Sequence, residues 1–322
     1  MKQINQMIQK KETDWGKYIR LLALVILVIV VSAVNMNFVS SYNLRAMLES
    51  VGILMVMGIG TTFILLIGAM DLSIGANISC CAVVIALLIP RIGFLAFFAA
   101  IAVGIGIGFI NGLLYCKLKI PSFIVTLGTM SIFNSAALLI CGSVPIAVST
   151  DYDWLVKWAG IKVGILPLPF ILSILLMAVY IVIQKNTKFG KSCYYIGASE
   201  RTAVIGGIHV ERYKIMAFAN NGLCCALAAI IMVSRLKSGN PNVGEAYTMM
   251  VIAAVAFGGT ALSGGRGGVV STLLGCFLIT VITQSLVILG VDIYWQKIVY
   301  GVIVVLALCT TVNKNDRALV VK

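Results

Sequence analysis

Charge is scarce in this chain. Only 11% of its 322 residues are Asp, Glu, Lys or Arg, against about a quarter in an ordinary soluble domain. A water-exposed globular surface cannot be covered with so few charges, so a soluble fold is excluded. Histidine is scarcer still, with His209 alone. The nine cysteines include no C-x-x-C pair, and most lie in apolar runs, where Cys behaves as a small hydrophobe. These shortages argue against a metal site and a disulfide framework. Long hydrophilic stretches are also missing, which excludes a soluble catalytic domain.

What remains is hydrophobic. Apolar residues make up 61% of the chain and the mean hydropathy is +1.06. The reading is an all-α, polytopic helical membrane protein with about ten transmembrane helices. The candidate spans are 18–34, 47–70, 74–90, 92–116, 123–141, 165–184, 215–233, 243–261, 268–289 and 294–312. Each approaches the ~20 residues needed to cross a hydrocarbon core of ~30 Å. The eighth is the weakest, because its purely apolar part begins only at Met249; a re-entrant segment is the alternative. The apolar stretch after the basic first twenty residues is read as a retained first span and not as a cleaved signal peptide.

The net charge of +13 comes from 24 Lys and Arg against 11 Asp and Glu. No nucleic-acid-reading motif accompanies it, so the membrane is the better explanation: Lys and Arg collect on the cytoplasmic side. Ten spans with both ends inside put seventeen of the 24 basic residues inside. Omitting the eighth span lowers that to fourteen. The expected layout is a cytoplasmic N-terminal segment (1–17), a membrane domain (18–312) and a cytoplasmic tail (313–322). Residues 142–164 lie outside, and 185–213 form the largest inside loop.

The spans are nearly free of ionisable residues. A charge at mid-helix costs about 2.5–3.5 kcal/mol on insertion scales, and proton- or ion-driven carriers accept that cost because the charge is their mechanism. Its absence argues against such a carrier and against an enzyme embedded in the membrane. Asp71 stands before an apolar helix and is read as its N-terminal cap. Gly104, Gly108 and Gly112 share one helix face, as close-packed spans do. Asn111 and Asn134 are the buried amides able to meet a polar solute, or to bond to another helix. The nearest approach to a phosphate loop, Gly190-Lys191-Ser192, has Lys185 where G-x-x-x-x-G-K-[ST] needs glycine. No ATP-binding fingerprint is present.

In the inside loop, Ser199 can cap a short helix, Glu200 suits its first turn, and Gly206-Gly207 can stop it. Such a helix is either a connection or a peg for a soluble partner. An eight-residue echo also occurs: Gly68-x-x-x-Leu72-Ser73-x-Gly75 recurs as Gly258-x-x-x-Leu262-Ser263-x-Gly265.

Several ordered segments then resemble one family over residues 38–313. They are Phe38-x4-Asn43-Leu44, Gly68-x-x-Asp71-Leu72-Ser73-x-Gly75, Asn111-Gly112-Leu113 and Pro121-Ser122-Phe123-Ile124-Val125-Thr126-Leu127-Gly128. A loop with Gly197, Ala203 and Gly206-Gly207-Ile208 follows. The most specific is Ala253-Ala254-Val255-x-x-Gly258-Gly259-Thr260-x-Leu262-x-Gly264-Gly265-x-Gly267. Together they resemble the permease subunit of ribose-type ABC sugar importers. The resemblance implies an ABC importer permease fold, in the inner or plasma membrane, that moves a small pentose-like sugar. It implies three partners: a second permease subunit, identical or not, a cytoplasmic ABC ATPase and an extracytoplasmic solute-binding protein. ATP and Mg would be bound by the ATPase and not by this chain. Residues 199–208 would be the coupling helix, with Glu200, Arg201 and Thr202 as exposed contacts; Ser199-Glu200 stands where the family usually has an Asn. A permease for branched-chain amino acids and a stand-alone facilitator are the competing readings.

Overall fold

The computed structural model describes residues 15–302 apart from 293, 297 and 300. The expected C-terminal tail, Cys309 and Lys297 lie outside the described residues, as do most of the tenth span and of the N-terminal segment. The chain is built of helices: α1 (Trp15–Val34), α2 (Ser41–Leu66), α3 (Ile74–Ile92), α4 (Leu95–Leu118), α5 (Ser122–Cys141), the short α6 (Asp153–Val156), α7 (Leu168–Asn186), α8 (Lys188–Ala198), α9 (Glu200–Ile205), α10 (Val210–Leu236), α11 (Tyr247–Gly258) and α12 (Val269–Ile288). Seven of these, α2–α5, α7, α10 and α12, are long and apolar enough to cross a membrane. Leu24–Val34 and Tyr247–Gly258 are shorter apolar helices.

Helix α2 is the axis of the bundle. Ser40 caps it by accepting from the Asn43 amide at 3.3 Å, and every residue from Val51 to Leu66 is buried. A helix that is apolar all round belongs in the core; α7, α10, α11 and α12 pack around it. The most extensive interface is between α4 and α10. A β-carbon on Gly104 would stand 2.6 Å from the Gly222 carbonyl oxygen, and one on Gly112 would stand 2.8 Å from Ile215 Cα. One on Gly108 would overlap the Phe218 carbonyl. The glycine spacing seen in the sequence thus lies where two backbones nearly touch.

At one end, β1 (Ile146–Ala147) pairs antiparallel with β4 (Ser238–Gly239), Ile146 opposite Gly239. A hairpin of β2 (Lys162–Val163) and β3 (Leu166–Pro167) lies nearby in the chain. Lys237 and Asp153 join the segments at 2.8 Å. At the opposite end, the Gly265 amide donates to the Leu66 carbonyl at 2.9 Å, and Gly197 lies against the same carbonyl. The two copies of the echo meet here, with Gly68 beside Ser263.

The eighth span is not a continuous helix. Its helical part, α11, has 12 residues, about 18 Å at 1.5 Å per residue, short of a ~30 Å core. Pro241 lacks an amide N–H and Asn240, Asn242 and Gly244 favour turns, so residues 240–246 are non-helical. This segment runs down the inner face of α3, from Gly239 against Ala82 to Gly244 against Gly75. After α11 the chain reaches the Leu66 end. The segment therefore runs from one end of the bundle to the other, part as turns and part as helix. Non-helical backbone within a bundle survives only where protein groups satisfy it. Gly244 N donates to Ser79 Oγ at 3.1 Å, and Gly75 N donates to Thr248 Oγ1 at 3.0 Å.

Candidate functional site

A second non-helical segment joins α2 to α3. Between α2 and α3 the chain leaves the helix at Gly68 and is fastened to α5: Met70 N donates to Ser122 Oγ and Leu72 N to Thr126 Oγ1, both at 3.0 Å. The first turn of α3 meets the non-helical stretch before α11 where Gly75 and Gly244 lie backbone against backbone. Neither position has room for a side chain.

Near this contact lies a buried polar network. The Asp71 carboxylate accepts from Ser73 N at 2.8 Å and Ser73 Oγ at 2.6 Å with one oxygen, and from Asn221 Nδ2 at 2.9 Å with the other. Asn111 Nδ2 donates to Ser73 Oγ at 2.7 Å. Asp71, Ser73, Asn111 and Asn221 are all buried. Asp71 is thus not the helix cap that the sequence suggests. Ser73 holds the N-cap position of α3, and Asp71 turns inward to tie the α2–α3 link to α10. Asn111 makes an interhelical bond. Asn134, half-buried on α5, makes no hydrogen bond to this network.

An open cleft of about 460 Å³ lies beside residues 245–250. Ser50 on α2, Glu245 and Tyr247 at the start of α11, Thr280 and Gln284 on α12, and Gln296 bring polar groups to it, beside Leu54, Met249 and Met250. A hydrated small molecule can be accommodated here. Sequence reasoning missed these residues. The signal was the Asn240-Pro241-Asn242 break inside an expected span.

The loop at the Leu66 end forms two helices. Thr187 caps α8 by accepting from Gly190 N at 3.1 Å. Ser199 caps α9 by accepting from Thr202 N at 3.3 Å, and the chain turns away through Gly206 and Gly207, the latter at φ +78°. Ala203 faces inward and Arg201 and Thr202 outward. Val204 and Ile205 are also exposed, Ile205 by 80%. Glu200 binds inward: its Oε2 accepts from Lys214 Nζ at 2.7 Å. Lys214, on α10, is buried and lies 4.7 Å over the Tyr115 ring of α4. This pair joins the loop to the α4–α10 unit.

Reversing one charge should therefore loosen the loop. Glu200→Lys sets two cations together and is expected to lower the melting temperature of the solubilised chain by a few degrees. Glu200→Lys with Lys214→Glu should recover most of the loss. Equal melting of the single and double variants would show that the pair contributes nothing. Gly258 packs against Ser271, and Gly259 ends α11 at φ +105°. Among the described residues, no group of His, Cys, Asp and Glu is placed to hold a metal ion.

Comparison with known proteins agrees with this architecture over nearly the whole chain. It is 38% identical over 297 residues to the ribose import permease protein of Bacillus subtilis (strain 168), covering 91% of this chain and 92% of that one. It is 32% identical over 300 residues to the ribose import permease protein of Escherichia coli (strain K12), covering 92% and 93%. It is 29% identical over 298 residues to the D-allose transport system permease protein of the same strain, covering 91% and 90%. No solved structure matches the chain. The family model described as branched-chain amino acid transport system / permease component matches residues 43–308, and this chain belongs to that permease family.

Proposed function

We propose that this chain is the membrane permease subunit of an ABC importer for a small, ribose-like sugar. The observation that carries the reading is the polar cleft beside the interrupted eighth span, in a chain whose full-length relatives are named as permeases for ribose and D-allose. Those relatives favour a sugar over a branched-chain amino acid. The cleft forms part of the solute path, and the protein works with a second permease subunit. An extracytoplasmic binding protein delivers the sugar. A cytoplasmic ATPase holds ATP and Mg, and hydrolysis belongs to it.

The membrane domain is 18–312, between cytoplasmic segments 1–17 and 313–322. Loop 185–213 is the coupling segment. Exposed apolar side chains on a water-facing helix mark a docking contact, so Val204 and Ile205 extend the contact set of Arg201 and Thr202. Motion of α9 reaches α10 through Glu200 and Lys214. Because α10 packs on α4 and holds Asp71 through Asn221, the same motion reaches the α2–α3 link and the contact of Gly75 with Gly244, and opens the path to one side at a time.

Ile205→Asp tests the docking. It replaces an apolar contact with a charge and is expected to cut co-purification of the co-expressed ATPase at least about tenfold, leaving the amount of permease in the membrane unchanged. Undiminished co-purification would move the docking surface elsewhere. The sugar assignment is tested separately: the complete transporter should accumulate ribose in vesicles, and the permease alone should not.

A further inference from the structure

Helices α11 and α12 form one hairpin. Gly275 of α12 lies against the Ala254 carbonyl of α11, and Gly258 of α11 against the Ser271 carbonyl of α12, with no room for a side chain at either glycine. Backbones packed this closely move as a unit. The far ends of both helices line the cleft, through Met249 and Met250 on α11 and through Thr280 and Gln284 on α12. The near ends are joined by the glycine-rich residues 259–268.

That join is seated on α8. A β-carbon on Gly264 would stand 2.9 Å from Gly197 Cα, and one on Gly265 would stand 2.8 Å from Ala198 N. Gly197 and Ala198 end α8, and only Ser199 separates them from α9. Beside the seat, Gln184 is buried in the last turn of α7. Its Oε1 accepts from Val269 N, the first amide of α12, at 2.9 Å. The residue at the cap of α12, Gly268, has no side chain to do this. Gln184 Nε2 donates to the Tyr194 hydroxyl of α8, and that hydroxyl donates to the Gly267 carbonyl at 2.6 Å. One buried amide thus joins α7, α8 and α12, with both of its ends in use.

We propose that Gln184 is a positioning residue of the transport cycle: it fastens the α11–α12 hairpin to α8, so that movement of the partner-bound loop is delivered to the two helices that line the cleft. The assignment rests on the transport reading above and adds to it a route separate from Glu200 and Lys214. That pair leads to α10 and the Asp71 network, whereas the Gln184 link leads to the wall of the cleft itself. Its hydrogen bonds are directional, and they fix a register that apolar contact between helices does not.

The test uses Gln184→Met, which keeps the length of the side chain and removes both hydrogen bonds, in the full permease assembled with its ATPase in vesicles. Co-purification of the ATPase and ATP hydrolysis should stay within about twofold of wild type, while ribose moved per ATP hydrolysed falls at least about fivefold. A second readout does not depend on the sugar. In the Gln284→Cys variant, on α12, the rate of thiol modification is measured with and without vanadate-trapped nucleotide. The described native cysteines are buried or half-buried, and the chain without this substitution gives the background. Trapping is expected to change the rate at least about threefold, and adding Gln184→Met should abolish that change. Should Gln184→Met reduce the amount of assembled transporter, Tyr194→Phe removes only the hydroxyl between Gln184 and Gly267 and carries the same two expectations. Uptake and hydrolysis that fall in proportion in both variants would show a merely structural role and overturn the proposal. A trapping response at Gln284→Cys that is absent from the start, or that survives Gln184→Met, overturns it as well. Uptake of leucine in place of ribose, with the trapping response still lost in Gln184→Met, would sink the sugar reading and leave Gln184 in its role. An ATPase that does not dock on the unsubstituted chain would sink the transport reading and this assignment together.

Discussion

Replacing Asp71 by alanine is expected to remove most of the folded, active transporter from the membrane. The carboxylate receives three donors in a buried site: the Ser73 amide, the Ser73 hydroxyl and the Asn221 amide. Alanine leaves all three unpaired among apolar neighbours. Each buried donor without a partner costs about 1–3 kcal/mol, and the site joins three parts of the bundle. Asp71→Asn is expected to be nearly as damaging, because its NH₂ group would face one of those donors. The exchange Asp71→Asn with Asn221→Asp restores a donor opposite an acceptor and should recover a measurable part of the yield and of ribose uptake. Equal uptake by wild type and Asp71→Ala, at equal expression, would show that the network is dispensable.

The second large effect belongs to the α4–α10 contact. A β-carbon on Gly108 overlaps the carbonyl of Phe218, and backbone cannot swing aside as a flexible side chain can. Gly108→Leu is expected to force the helices apart and cost about 3 kcal/mol or more. The measurement is monodisperse protein recovered after detergent extraction, followed by melting of whatever survives. Gly106 gives the control, because a β-carbon there meets nothing within 4 Å. Gly106→Leu should extract normally. If Gly108→Leu extracts and melts like Gly106→Leu, the close approach of α4 and α10 does not support the fold. The effect should also reach function, since α10 carries both Lys214 and Asn221.

Much of the architecture is legible in the sequence because the bilayer imposes simple rules. A segment that crosses must be apolar and long enough, so the strong spans stand out by composition. Glycines four residues apart lie on one helix face, so the tight face of α4 can be read from spacing. Capping chemistry is equally local, and Ser199 with Gly206 bounds α9 as their residue types suggest. Local rules fail at the eighth span and at Asp71. Apolar content there suggests a helix beginning at residue 243, whereas the Asn-Pro-Asn break delays helix until Tyr247. Asp71 has the sequence context of a cap, yet its carboxylate reaches Asn221, 150 residues away. The inward bond of Glu200 to Lys214 is equally invisible along the chain.

By itself, then, the sequence determined the membrane class, most spans, the packing face of α4, the short loop helix and the family resemblance. These follow from hydrophobicity, helical periodicity and local capping, which act over a few neighbouring residues. Only the tertiary structure decided that α3 and the interrupted eighth span touch at Gly75 and Gly244, that Asp71 ties three segments together, and that Glu245 and Gln284 share a cleft. Those relations depend on which helices pack against which, and in a bilayer that choice is made by shape and by a few buried hydrogen bonds between distant residues, because apolar surface alone favours no particular neighbour.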